Sequence, residues 1–291
     1  MVASATRADW QHAQDALRAE VERVTALLRS VRDPGAPAVG QWNVAEVATH
    51  LSQAWVAVTG LAWGDLCDLY ELIPSIRRMA GESLIRDIWE LGDLTVLGVR
   101  SDPERDPAAL ADRIEQRAAR YFSECAAYSP DELRPWFVQG TRVPVATLTG
   151  HLLNETLMHG YDIARADGRT WRIEPAHAAM VVRHLFVPVL QQLDPRALVN
   201  ATKAAGLRAT YELRLRGANR FHFIFDDGAL RVDDPSPAAK VDCYISADPA
   251  AFVLVYWGRR SQWPAIATGK LMAWGRKPWL GPRFASLICH P

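Results

Sequence analysis

Three side chains able to hold a metal ion or move a proton recur at four-residue steps in one segment: His151, Glu155 and His159, within Gly150-His151-Leu152-Leu153-Asn154-Glu155-Thr156-Leu157-Met158-His159-Gly160-Tyr161-Asp162. In a helix, residues four apart stack along one face. Imidazoles and a carboxylate in line on a packed helix are costly to bury without a partner, and a divalent cation is the simplest one. Neighbours four apart can share an ion. Positions eight apart are separated by ~12 Å along the axis, too far for both to reach the same ion. The helix therefore supplies at most two ligands, Glu155 with either His151 or His159, and a third must come from elsewhere. His50, beside the apolar stripe of another helical segment, is the candidate. Two histidines and a carboxylate leave one coordination position open, the arrangement of catalytic zinc.

Positioning these groups requires helices, and the first 170 residues read that way. From Ala8 to Val31 the apolar positions Trp10, Ala13, Leu17, Val21, Val24 and Leu28 recur at three- and four-residue steps. Asn43 with Glu46 three residues on predicts a capped start for the helix that carries His50. Weaker helical segments fill Asp65 to Leu91, where Gly81 and Gly92 suggest breaks. Asp106-Pro107 opens a helix running to about Tyr128, and Val145 to Ala166 forms the last, closed by Asp167-Gly168. Such an array predicts a bundle with a site built from side chains facing inward on different helices.

Past residue 206 the period changes to two. Leu207, Ala209, Tyr211, Leu213 and Leu215 alternate with polar residues, Gly217-Ala218-Asn219 turns the chain, Phe221, Phe223 and Phe225 alternate again, and Asp227-Gly228 makes a second turn. Val241, Cys243 and Ile245 mark another strand, Asp248-Pro249 starts a helix, and Thr268 to Ile288 reads as a short strand and a final helix. The expected fold class is α plus α+β: a helical bundle over 1–170, a linking helix (His177 to Leu193) and connector over 171–206, and an α+β domain over 207–291.

The whole chain has 291 residues, with 33 basic and 33 acidic side chains. That balance offers no electrostatic reason to expect nucleic acid or an anionic membrane as partner. No apolar run reaches the ~18 residues of a bilayer span. The opening residues lack a basic segment followed by an apolar core, which predicts no secretory leader. Cys67, Cys125, Cys243 and Cys289 are scattered and form no C-x-x-C pair, so neither a thiol metal knuckle nor a disulfide framework is expected. A reduced, cytoplasmic protein is the expectation.

The segments Trp42-Asn43-Val44-Ala45-Glu46-Val47-Ala48-Thr49-His50-Leu51 and Asn154-Glu155-Thr156-Leu157-Met158-His159-Gly160-Tyr161-Asp162 resemble the mycothiol-dependent maleylpyruvate isomerase family, whose members begin with a DinB-like four-helix bundle. Phe221 to Phe225, Val241 to Asp248 and Ala265 to Leu271 resemble the sterol-carrier-protein-like domain that commonly follows it, so the likeness covers nearly the whole chain. The resemblance implies His50, Glu155 and His159 as ligands of zinc or another divalent metal, with His151 left outside the ligand set. It places Asp162 where it either anchors a ligand histidine or binds the polar part of the thiol. The implied activity is that of an enzyme using a low-molecular-weight thiol, mycothiol, against a small electrophilic substrate. The metal favours the thiolate, which is the nucleophile. Adding to a conjugated cis double bond and leaving again gives an isomerase; staying attached gives an S-transferase. No motif selects maleylpyruvate itself. Arg77-Arg78 and Arg259-Arg260 are candidate hosts for an anionic substrate.

A rival reading is a lipid or small-molecule binding protein with a structural metal site. Phe221, Phe223, Phe225, Phe252, Tyr256, Trp257, Trp263 and Trp274 either line an apolar cavity or pack as core.

Overall fold

The computed structural model describes residues 5–74, 76 and 84–289, so the Arg77-Arg78 doublet and Gly81 lie outside the described residues. The chain divides into two compact units, at residues 5–173 and from residue 174 on. The helical stretch after residue 174, read from sequence as a linker, is grouped with the second unit.

The first unit contains α1 (Arg7–Arg29), β1 (Pro37–Val39), β2 (Trp42–Asn43), α2 (Val44–Trp63), α3 (Cys67–Leu72), α4 (Leu91–Ser101), α5 (Pro107–Cys125), β3 (Leu133–Pro135), β4 (Arg142–Pro144) and α6 (Val145–Ala166). α1 and α2 each pack against both α5 and α6, which makes a four-helix bundle. The caps explain where the helices start. Asn43 and Glu46 form the expected reciprocal box, each side chain accepting from the other's backbone amide at 2.9 Å. Asp106 caps α5 ahead of Pro107. α2 stops at Gly64, whose φ of 71° is left-handed. Gly92 is not a break: it sits in the first turn of α4, where a missing side chain costs the helix little. The interior is filled by Trp10, Leu17, Leu51, Trp55, Leu110 and Tyr121, all nearly without exposure. Trp10 Nε1 and the Tyr121 hydroxyl meet Thr149 Oγ1, each at 2.7 Å, so the polar ends of two core aromatics are satisfied at one hydroxyl.

The second unit contains α7 (Pro175–Val181), α8 (Val187–Gln192), α9 (Ala201–Ala204), β5 (Arg208–Leu215), β6 (Arg220–Asp226), β7 (Ala229–Asp233), β8 (Cys243–Ala247), α10 (Pro249–Tyr256), α11 (Gln262–Ala267), β9 (Leu271–Trp274) and α12 (Phe284–Leu287). A single π-helical turn, Val182–Phe186, joins α7 to α8. The sheet order is β7-β6-β5-β8-β9, with β5 and β8 parallel and every other pair antiparallel. Asp227 and Gly228 both take positive φ, 46° and 81°, as the two-residue β6–β7 turn requires. Tyr211, Leu213, Phe221, Phe223 and Phe225 are buried on one face. Phe284 closes over it, its ring 5.1 Å from those of Tyr211 and Phe223. The phenylalanine stripe is therefore core. A separate cavity of about 370 Å³ lies within this unit, lined by Phe252, Tyr256, Ile266, Met272, Phe284 and Ile288 among others. Of the expected cavity aromatics, Phe252 and Tyr256 line it, and Trp263 is largely exposed. Among the described residues no helix is long and apolar enough to cross a membrane.

Candidate metal centre in the helical bundle

α6 places His151, Glu155 and His159 on successive turns of one face, and α2, packed against it, brings His50 to the same place. His50 Nε2 stands 3.2 Å from Glu155 Oε2, and His159 Nε2 stands 3.3 Å from the same oxygen. Ligand atoms of these three residues all lie within 4.8 Å of one another. The rings of His50 and His159 meet edge to face at 4.7 Å. Close packing also sets the spacing next door. A Cβ on Gly160 would come within 2.6 Å of the Trp171 ring, so only glycine fits beside His159.

The electrostatics favour a cation. Burial opposes ionisation of Glu155, but the surrounding imidazoles of His151, His159 and His50 outweigh it and hold the carboxyl well below its usual range. Burial likewise opposes a charged His159, yet the Asp162 and Glu155 carboxylates raise its pKa to about 9. The pocket thus holds a positive charge on its own imidazole at neutral pH. His50 is shifted the other way, chiefly by burial, so it stays neutral with a lone pair to give. A buried carboxylate, a neutral imidazole and a carboxylate-backed imidazole converging on one point suit a divalent ion such as zinc.

Asp162 is buried on α6, with Oδ2 3.3 Å from His159 Nδ1. His151 stands apart from the converging atoms: its Nε2 is 3.6 Å from the other Glu155 oxygen, Oε1. Arg259 donates to the Trp257 carbonyl within the second unit.

Sequence reasoning missed the aromatic surround. Trp42, in β2, lies 5.5 Å from the His50 ring; Phe137 lies 5.3 Å from the His151 ring; and Trp136 donates its indole N–H to His151 Nδ1 at 3.4 Å. The β3–β4 hairpin and a short parallel bridge between Ile85 and Val138 hold the segment that carries Trp136 and Phe137. The only signal for them in the sequence is a pair of large apolar residues in a region otherwise read as a loop. Trp42 stands in the segment already singled out for His50.

Comparison with known proteins agrees with this architecture. Residues 17–164 match the family model described as the mycothiol maleylpyruvate isomerase N-terminal domain, and residues 190–275 match that of the SCP-2 sterol transfer family. A crystal structure described as the mycothiol-dependent maleylpyruvate isomerase superposes with a TM-score of 0.51 at 14% identity, covering 91% of this chain and 92% of that one. A histidine-to-alanine mutant of that protein superposes with a TM-score of 0.50 at 14% identity and the same coverage. At this identity the likeness is one of fold. No curated protein matches the chain in sequence. The first of the two family models spans just over half of the residues, and the chain belongs to the mycothiol maleylpyruvate isomerase N-terminal domain family.

Proposed function

We propose that the chain is a metal-dependent enzyme that uses a low-molecular-weight thiol, mycothiol by its family, as a nucleophile on a small electrophile. It acts as a thiol S-transferase or as a cis–trans isomerase of the maleylpyruvate type. The observation that carries this reading is the convergence of His50, Glu155 and His159 in one largely buried place. These three would hold zinc or another divalent ion. A bound cation would supply the positive charge that favours the thiolate form of an incoming thiol. The protein's own groups do the rest. Asp162 stands 3.3 Å behind His159 and favours its charged form, which accords with the anchoring one of the two roles the sequence leaves open to it. Trp42, Trp136 and Phe137 wall the site with apolar surface and limit water around it. No cysteine of the chain is required; Cys125 and Cys243 are buried, and burial pushes both thiols up to about 11.

The test is elemental analysis of purified protein followed by turnover with candidate electrophiles and several thiols. One zinc-like ion per chain and a thiol-dependent product are expected. Protein that is fully folded, metal-free after incubation with zinc, and inactive with every thiol refutes the proposal. The apolar cavity of the second unit favours a second reading, binding of an apolar small molecule there. It predicts that a fluorescent fatty acid binds and that Ala285→Trp, which fills the cavity, removes binding while leaving the metal content unchanged.

A further inference from the structure

Glu155 presents its two oxygens to two different sets of partners. Oε2 faces His50 Nε2 at 3.2 Å and His159 Nε2 at 3.3 Å. Oε1 faces the Asn154 amide at 3.4 Å and His151 Nε2 at 3.6 Å. The first set can coordinate an ion. The second set does so only if His151 has a lone pair on Nε2, and this is decided on the far side of its ring. Trp136 Nε1 is 3.4 Å from His151 Nδ1, and both side chains are buried. An indole nitrogen can only donate, so Nδ1 must accept. A neutral imidazole carries one proton, and here it is left on Nε2, aimed at Glu155.

We infer that Trp136 fixes the tautomer of His151 and thereby makes His151 a positioning residue, turning an Nε2–H toward Glu155 Oε1 across 3.6 Å as an electrostatic partner, in place of a ligand. Three consequences follow from the geometry. His151 has no lone pair for the ion, although by spacing alone it is as good a partner for Glu155 as His159. Oε1 accepts from the Asn154 amide and faces the His151 Nε2–H, so that Oε2 stays turned toward His50 and His159. The ion also keeps its fourth position open, because the one further imidazole in the cluster is turned into a donor. His159 has the opposite arrangement: the Asp162 carboxylate lies 3.3 Å from its Nδ1, out of line for a hydrogen bond but close enough for its charge to favour the proton there, which leaves Nε2 as the atom that can ligate an ion. Two histidines on one helix face are thus assigned opposite roles by what touches their far nitrogens, an indole donor for one and a carboxylate acceptor for the other.

The inference rests on the metal reading for its purpose but not for its first test. Long-range ¹⁵N–¹H spectra of metal-free, ¹⁵N-labelled protein report imidazole tautomers without any substitution. His151 is expected as the Nε2–H form. A His151 protonated on Nδ1 overturns the inference whether or not the protein binds metal. The second test is chelator-buffered Zn²⁺ titration of the full chain and its variants. His151→Leu is expected to weaken zinc binding about tenfold to a hundredfold, the usual range for groups that orient a ligand, with one ion per chain still bound at saturation. His151→Gln, whose amide can still donate, should restore part of the affinity. Trp136→Phe should shift His151 toward a mixture of tautomers and weaken zinc by a smaller factor. Unchanged affinity in His151→Leu overturns the inference, as does complete loss of the ion there while Asp162→Asn retains it. A wild-type chain that binds no zinc, with His151 nonetheless in the Nε2–H form, would fail the proposed function and leave the tautomer assignment standing.

Discussion

Both units bury a carboxylate against a histidine, and the two sites differ in what completes the shell. On the sheet, Glu212 accepts from Arg214 Nε at 2.6 Å through one oxygen and faces His222 Nε2 at 3.0 Å through the other. Arg214 is itself laid over the Tyr244 and Trp274 rings. In the bundle, no arginine or lysine among the described residues pairs with Glu155; imidazoles and an amide surround it. A guanidinium is permanently charged and has no lone pair, so the Glu212 cluster is already neutralised and offers an ion no set of converging lone pairs. Imidazoles can lose their protons and become ligands. The same kind of burial therefore gives a structural ion pair in one unit and a set of residues that could hold a metal in the other.

The comparison is broken most sharply by removing ligands. Glu155→Ala or His159→Ala should lower zinc affinity by at least about a hundredfold, more than the loss of an orienting partner costs. Glu212→Gln and His222→Ala should leave it unchanged. Equilibrium dialysis with elemental analysis checks both, and zinc loss on changing Glu212 would dissolve the distinction.

The pH response should differ as well. In the metal-free chain His159 is raised from 6.5 to about 9, so its contribution to stability is complete below pH 6.5 and is lost as pH rises through about 9. An ion must displace that proton, so zinc affinity should rise about tenfold per pH unit between roughly pH 7 and 9, one proton leaving per ion. Chelator-buffered titrations at several pH values measure the slope; a flat profile would mean that His159 carries no proton to displace. Glu212 has the reverse sign. Although burial opposes its ionisation, His222 and Arg214 lower its pKa, so its contribution is present above the ordinary carboxyl value of 4.5 and is lost as the medium is acidified below it.

Two smaller effects sharpen the contrast. Asp162→Asn removes the charge behind His159 and should weaken zinc binding about tenfold while bringing the His159 pKa down toward its ordinary value, visible by NMR titration. Glu212→Gln should cost the second unit about 1–3 kcal/mol in denaturant unfolding at neutral pH, because Arg214 loses its ionic partner in a partly buried place.

Much of this molecule is legible in the order of its residues. Helical periodicity and capping pairs such as Asn43 with Glu46 are local, so the bundle helices follow from them directly. Period-two alternation does the same for β5 and β6. The four-residue spacing of His151, Glu155 and His159 likewise places all three on one face, because helix geometry alone decides that. Local pattern does not supply the short β1–β2 and β3–β4 hairpins, whose two- and three-residue strands carry no periodicity. Nor does it supply the outcome at Gly92, where position within a turn decides the cost of a glycine. Spacing also cannot choose between His151 and His159, which are symmetric about Glu155 in sequence. That choice rests on the nitrogen each ring turns away from Glu155, on Trp136 arriving from a hairpin for one and on Asp162 from the next turn for the other. Sequence determined which side chains share a face and put Asp162 one turn beyond His159; tertiary packing brought Trp136 to His151 and so decided that this ring turns a proton toward Glu155, because a proton on an imidazole goes where its neighbours direct it.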